Sequence, residues 1–396
     1  MNNKITVGYY YHVCVVKKNN KIYLPSYLSV FFDELAKQVD KLVLFLYEAN
    51  NKSQIESADC FIEANNIIWV NLGKKTSAWY RGFFANNIIR NYKVDFDLLD
   101  YLIIRSPTPL APFFKNFNWL KNKLVYMIVS DYKKGAEMIP INNLRNLLVR
   151  YFILWNDRKF KNAIKSALLI VNSKEIYDDH KQLSKTIFEL KTTTLRKTDF
   201  HRKLNQKFGN TIKLLFTGRI VLQKGLIELV DCLKLSENEN FNLELHIVGW
   251  EEFDDKPFES ELKAYAKTHN IKSKIIFHGL KSVGDELNAM YRMADIYVLP
   301  SHHEGFPRTI WEAMANSIPV ISTNVGSIPH YINNNEHALL VPPKNSLLLF
   351  DSIKQMIINK ELRDKLVENS HNIVINHTLE FQTEKLMQII KSNLSD

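Results

Sequence analysis

The sequence predicts an α/β protein of two doubly wound, Rossmann-like domains facing each other across a cleft. Three observations carry that expectation. Short apolar runs, rich in β-branched and aromatic residues, alternate with longer amphipathic ones, the pattern of parallel strands joined by helices. Around residues 188–210 the apolar periodicity gives way to Thr, Lys and Arg, and the alternation then starts afresh. In the second half, three strand-like runs end in Gly and one in Pro-Ser, so tight turns with exposed N–H groups fall at the strand ends, where ligands of parallel sheets sit.

Taken in order, KITVGYY is the first strand, with His12 at its end. No small-residue cleavage site follows it and its composition is that of a strand, so it is not read as a signal peptide. YLSVFFDELAKQV is a helix, KLVLFLY and NIIWVNL are strands, RGFFANNIIRNY is a helix, and YLIIR and KLVYMIV are strands. NLRNLLVRYFILWNDRKFKNAI is a long helix, and ALLIVNS closes the first half as a strand. The second half reads IKLLFTG strand, KGLIELVDCLKL helix, NLELHIVG strand, FESELKAYAKTH helix, KIIFHG strand, GDELNAMYRMA helix, DIYVLPS strand, RTIWEAMANS helix and PVIST strand. Amphipathic helices finish the chain. The domains expected are 1–200, 201–375, and a terminal helix over 376–396 that packs back toward the N-terminal domain.

With 396 residues, 46 % of them hydrophobic, the chain is long enough for two cores. No apolar stretch approaches the roughly 20 residues that span a bilayer. Cys14, Cys60 and Cys232 lie far apart in apolar contexts, which suggests neither a disulfide framework nor a metal knuckle and fits a reducing cytoplasm. The net charge of +10 is uneven. Residues 1–205 hold 32 Lys and Arg against 18 Asp and Glu, whereas residues 206–396 hold 20 against 24. A basic half of this kind attracts nucleic acid, anionic lipid or a phosphorylated acceptor, or is a solvated basic surface.

Two constellations carry chemistry. In FTGRIVLQKG, Gly218 permits a close turn at a strand end, and Arg219 and Lys224 lie five apart across a loop before a helix N-terminus. Both cations can converge on one anion there, and a diphosphate is the natural guest. The stretch has neither the P-loop nor the Gly-x-Gly-x-x-Gly pattern. In VLPSHHEGFPRTIWEAMA, a buried strand runs into Glu304; Gly305 loosens the turn, Pro307 suits a first helical turn, and Glu312 lies about one turn into the helix. Singly, Glu304 reads equally as a solvated loop acid and Glu312 as a helix-start carboxylate. Together they form an acceptor-only pair beside free amides, which suits a sugar nucleotide: hydroxyls for the carboxylates, phosphate for the N–H groups.

TGRIVLQKG, LHIVGW, IIFHGLKS, MADIYVLPSHHEGFPRTIWEAMANSIPVISTNVGSIPHYI and HALLVPPKN occur in that order. Residues 211–345 thereby resemble the C-terminal half of retaining glycosyltransferases of family 4, with the GT-B architecture. The resemblance implies that Glu312 accepts hydrogen bonds from the donor ribose and that Glu304 holds a hydroxyl of the donor sugar. It makes Arg219 and Lys224 the neutralisers of the departing diphosphate. Backbone amides around Phe306, Arg308 and Thr309 would orient sugar and phosphate, Leu280 would lie against the base through its backbone, and Gly249 would keep that floor low. Attack would come on the leaving-group face, with no metal and no cofactor.

The N-terminal half matches only in element order and in LLIVNS. Two departures are visible: no glycine pair follows the first strand, and Arg105 or Ser106 stands where a histidine is common. Arg105 is expected to face the cleft. His12 and Asp131, at strand ends, are further candidates for the acceptor side, with a helix cap as the other reading of Asp131. The adjacent His302 and His303 do not suggest a metal site, and His246 reads as a satisfied strand residue.

The function expected is transfer of a sugar from a nucleotide-sugar donor, a UDP-sugar on resemblance, to a glycan or lipid-linked acceptor in O-antigen, lipopolysaccharide or capsule assembly. The expected location is cytoplasmic and peripheral, on an anionic membrane surface. The helix LRNLLVRYFILWNDRKFKNAIKSA is either the docking face or a core helix with a solvated side. A sugar-nucleotide epimerase, a phosphorylase, a relative that only binds donor, and a nucleic-acid-binding protein are the alternatives. The last is disfavoured because the motif-bearing half is acidic and carries no RRM, KH or zinc signature.

Overall fold

In the computed structural model the described residues are 5–137, 139–165, 167–203, 207–251 and 257–394. They form two units, one built from the chain up to residue 192 together with residues from 380 onward, the other from residues 193–379. The boundary thus falls at 192/193 rather than at 200/201. The reason is a strand inside the expected connection, which still pairs with the first sheet; residues 204–206 of that connection lie outside the described residues.

The first unit contains β1 (Thr6–Lys18), β2 (Lys21–Leu24), β3 (Lys41–Glu48), β4 (Cys60–Phe61), β5 (Ile67–Lys74), β6 (Tyr101–Ser106), β7 (Leu124–Ile128), β8 (Leu168–Val171) and β9 (Ile187–Glu189). Seven of these run parallel in the order β5-β3-β1-β6-β7-β8-β9, with the direction of winding reversing between β1 and β6. β1 is longer than KITVGYY. Its register against β3 shifts between Tyr10 and Cys14, and its far end pairs antiparallel with β2, which in turn pairs with β4. His12 therefore lies in an irregular stretch inside the strand, not at its end. The predicted helix RGFFANNIIRNY is two short helices, Ala78–Phe83 and Ala85–Asn91, because Phe84 leaves the helical region and serves as the cap of both. The terminal helix Leu379–Leu394 places Leu386, Met387 and Ile390 in one cluster with Val7, Phe32 and Leu42, so its apolar face is covered by the first sheet.

The second unit is a six-stranded, all-parallel sheet of β10 (Ile212–Thr217), β11 (Leu243–Val248), β12 (Ile275–Phe277), β13 (Ile296–Leu299), β14 (Val320–Thr323) and β15 (Leu339–Val341), in the order β12-β11-β10-β13-β14-β15. Leu214, Leu215, Phe216, Val298 and Ile321 are fully buried. Helices on both faces explain why these strands are continuous apolar runs rather than alternating ones. The winding reverses between β10 and β13, and the crevice beyond the carboxyl ends of those two strands is the position a doubly wound sheet offers to a ligand.

Candidate functional site

The two motifs of the second half arrive at this one place. Gly218 leaves β10 with φ +150°, and its N–H donates to Val248 O at 3.0 Å. Gly249 leaves β11 with φ +154°, so close to it that a Cβ would stand 1.7 Å from Gly218 O. Only glycine fits there. Lys224 does not begin a helix as expected; it ends a 3-10 turn, Leu222–Lys224, and Gly225 at φ +70° then caps the helix Leu226–Asn238.

That turn aims Lys224 at the loop after β13, where its Nζ pairs with Glu304. Ser301 Oγ donates to the same Glu304 oxygen at 2.7 Å. The loop is held on all sides. Thr323 Oγ1 donates to Ser301 O at 2.6 Å, His302 N to Gln223 O at 2.8 Å, and Ser327 N to Gly305 O at 2.9 Å. His302 Nε2 contacts Glu228 at 2.7 Å, which gives this histidine a positioning task. Gly326, with φ +56°, lets the turn after β14 approach Glu304 O so closely that a Cβ would lie at 1.8 Å. Gly305, by contrast, has open space where a Cβ would be.

Pro307 is the N-cap of the helix Arg308–Ala315, one place earlier than expected, and no side chain caps that end. The amides of Arg308 and Thr309 open the helix. Phe306 stacks on Trp311 with centroids 4.6 Å apart, which fixes the entry of the chain into the helix. Glu312 is only 6 % exposed, and each of its oxygens accepts one hydrogen bond, from Thr194 Oγ1 at 2.5 Å and from Tyr291 Oη at 2.8 Å. Behind Tyr291, Thr217 Oγ1 lies 2.8 Å from Tyr291 Oη and 3.2 Å from Tyr297 Oη. Since Tyr291 gives its proton to Glu312, Thr217 must donate to Tyr291 and accept from Tyr297. Burial, and then the Glu312 charge, push the Tyr291 hydroxyl well above its usual range; burial raises Tyr297 too, so both stay protonated.

Glu304, Lys224, Glu312, Gly218, Gly249 and the first turn at Pro307, Arg308 and Thr309 thus all belong to the switch-point edge of one sheet. Arg219 is exposed and, among the described residues, has no hydrogen-bond or ion-pair partner, whereas Lys224 pairs with Glu304. Leu280 is 51 % exposed and follows Gly279, whose carbonyl accepts the Gly249 N–H at 2.9 Å. Thr194, Tyr291, Ser301 and Gly326 complete the site without having been singled out. His246 Nδ1 lies 2.8 Å from His278 Nε2, while its own Nε2 is buried with no hydrogen-bond partner among the described residues, so the expectation of a satisfied strand residue is met at one nitrogen only.

In the first unit, Arg105 lies on β6 with its guanidinium 4.9 Å from the Tyr11 ring centroid. Asp131 accepts from Lys133 N at 2.6 Å, the capping reading, and also lines a cavity of about 400 Å3 with Lys133, Glu137, Lys161, Glu175, Asp179 and His180. Burial, reinforced by the positive charges of Lys75, Arg81 and Arg105, pushes the His12 imidazole down to about 3.

The description "Glycosyl transferases group 1" matches residues 197–373. The capsular polysaccharide biosynthesis glycosyltransferase CapM of Staphylococcus aureus is 28 % identical over 177 residues, 45 % of this chain and 44 % of that protein. The chain spans about half the length of the first curated relatives it matches. Among solved structures, a glycosyltransferase from Rickettsia africae superposes with a TM-score of 0.69 at 17 % identity, covering 100 % of both chains. Anabaena HepE in complex with UDP superposes with a TM-score of 0.70 at 15 % identity, covering 98 % of this chain and 100 % of that one. Residues 197–373 are thus similar to the group 1 glycosyl transferases, and the chain shares the GT-B fold of these solved structures.

Proposed function

We propose that the protein is a retaining glycosyltransferase that moves a sugar from a UDP-sugar to a glycan acceptor during assembly of a surface polysaccharide. The observation that carries this reading is the joining of Lys224, Glu304, the uncapped start of the helix Arg308–Ala315 and the buried Glu312 at the switch point of one parallel sheet. Glu312 has accepting capacity left after Thr194 and Tyr291, and the ribose hydroxyls use it. Glu304, fixed by Lys224 and Ser301, accepts from a hydroxyl of the transferred sugar.

As the bond from the anomeric carbon to the diphosphate oxygen breaks, negative charge grows on the leaving group. Lys224 has further N–H donors, Arg219 is unengaged among the described residues, and the helix N-terminus at Arg308 favours negative charge, so the transition state gains more than the ground state does. The acceptor oxygen bonds to the same face of that carbon, and its proton passes to the departing diphosphate. In this reading no metal and no cofactor take part. UDP is favoured by the nucleotide in the Anabaena neighbour, and polysaccharide assembly by the S. aureus relative.

The acceptor belongs to the basic N-terminal unit. A peripheral, cytoplasmic-face location is supported by the helix Leu144–Ala163, where Leu144, Leu148, Tyr151 and Trp155 share one exposed face while Asn156 and Asp157 are buried. Lys159 stands 4.4 Å from the Trp155 ring, a mix of aromatic and cationic groups suited to an anionic bilayer surface. Among the described residues no helix is long and apolar enough to cross a membrane.

The test is UDP release together with the anomeric configuration of the product by NMR, for wild type and Lys224→Ala. Retention, with a transfer rate at least 100-fold lower in a folded Lys224→Ala, is expected; inversion, an isomerised donor or a wild-type rate would overturn the assignment.

A further inference from the structure

The N-terminal unit holds buried positive charge for which the donor site has no use. Arg81 is only 5 % exposed, and its Nε and Nη1 are buried with no hydrogen-bond partner among the described residues. Its guanidinium lies 5.3 Å from the Tyr47 ring centroid and acts on the Tyr47 hydroxyl; among the described residues that hydroxyl and His12 Nδ1 are buried with no atom at hydrogen-bond distance. The helix Ala78–Phe83 is seated firmly enough to keep Arg81 there. Trp79 packs on Phe152 at 4.5 Å, and Gly82 approaches the same ring so closely that a Cβ would stand 2.7 Å from it.

The charges that act on His12 are Lys75, Arg81 and Arg105, all cations. Among the described residues no carboxylate pairs with any of the three. Asp157 is the acid that acts, with Arg81, on the nearby Tyr132, and it is engaged by Lys161 at 2.8 Å. A cation–π contact offsets only part of the loss of water around a guanidinium, and buried charge is normally paired.

These groups come from the carboxyl ends of several parallel strands. His12 sits in the irregular part of β1, Tyr47 near the end of β3, Lys75 just beyond β5 and Arg105 near the end of β6. The β1/β6 junction is the switch point of this sheet, the position at which the second unit keeps its own ligand-binding residues. A convergent set of cations with unmet N–H groups at such an edge fits an oxyanion, which supplies both the missing charge and the missing acceptors.

We propose that Arg81, with Lys75 and His12, forms an oxyanion-binding site in the N-terminal unit that receives a phosphate or carboxylate group carried by the acceptor. That the oxyanion arrives on the acceptor rests on the glycosyl-transfer reading; that the site binds an oxyanion does not.

The experiment uses the full chain carrying Arg219→Ala and Lys224→Ala, which removes the donor-side cations. Inorganic phosphate, pyrophosphate and glucuronate are titrated by calorimetry with and without Arg81→Met. At least one probe should bind and lose ten-fold or more of its affinity in Arg81→Met; the probe that binds tighter separates a phosphoryl from a carboxylate group. UDP affinity of Arg81→Met in the otherwise unaltered chain should stay within two-fold. In buffer free of such anions Arg81→Met should melt no lower than the parent. Equal affinity with and without Arg81, binding of none of the three probes, or a lower melting temperature with no anion effect would assign Arg81 a structural role and overturn the proposal. UDP binding reports the donor site and phosphate or glucuronate binding reports this one, so either reading can fail alone.

Discussion

The carboxyl ends of the two parallel sheets handle charge in opposite ways. In the C-terminal unit Lys224 is matched by Glu304, and Glu312 by two hydroxyl donors. In the N-terminal unit Arg81, Lys75 and Arg105 crowd a histidine with no carboxylate paired to them among the described residues. The backbones differ in parallel. The second edge is drawn tight by Gly249 and Gly326, while the first is loosened by the register shift in β1 and filled with Tyr10, Tyr11 and Tyr47. The lesson is about preparation: one edge is complete before its ligand arrives, and the other waits for charge that the ligand brings.

The sharpest way to break this contrast is at the tight edge. Gly249→Ala forces a Cβ into the Gly218 carbonyl and should destabilise the C-terminal unit by about 3 kcal/mol or more, read by denaturant unfolding. Gly305→Ala on the same edge meets open space and should change stability by less than about 0.5 kcal/mol. If both cost the same, the edge is not held by close backbone approach.

At the loose edge the readout is pH. His12 falls to about 3 in the folded chain, below its usual 6.5, so between those values the unfolded chain binds the extra proton and stability is lost as pH falls. Above pH 6.5 the group contributes no pH dependence. His12→Gln should therefore lose less stability than wild type between pH 6.5 and 5, by about 2 kcal/mol. Identical profiles would mean that neither burial nor the nearby cations hold down the His12 imidazole. A smaller effect separates support from ligation in the C-terminal unit: Tyr291→Phe removes one donor to Glu312 and should weaken UDP about 10-fold while leaving the chain folded.

Much of this was legible in the chain because it is local. Strand and helix order follow from periodicity, and Gly218, Gly249, Glu304 and Glu312 stand at junctions that a strand-to-helix reading locates directly. What was not legible depends on contacts distant in sequence. The Lys224–Glu304 pair spans 80 positions and relies on a left-handed Gly225 that converts the expected helix start into a 3-10 turn. Thr194 reaches Glu312 from the connection, which carries no apolar signal of its own, and lies 118 positions away from it. Arg81 is the first residue of the stretch expected to form one helix, RGFFANNIIRNY, and nothing local marks it; the break at Phe84 and the close seat of Gly82 on Phe152 accompany its burial. The two-residue β4 is too short for periodicity to register.

The account rests on Glu312 as the residue that grips the nucleotide. Calorimetric titration of UDP into wild type and Glu312→Ala, with folding of the variant checked by unfolding, addresses that point most directly. The prediction is measurable UDP binding by wild type and about 100-fold weaker binding by Glu312→Ala, the loss of two hydroxyl contacts to a charged acceptor. No UDP binding by wild type, or equal affinity in a folded Glu312→Ala, would contradict it.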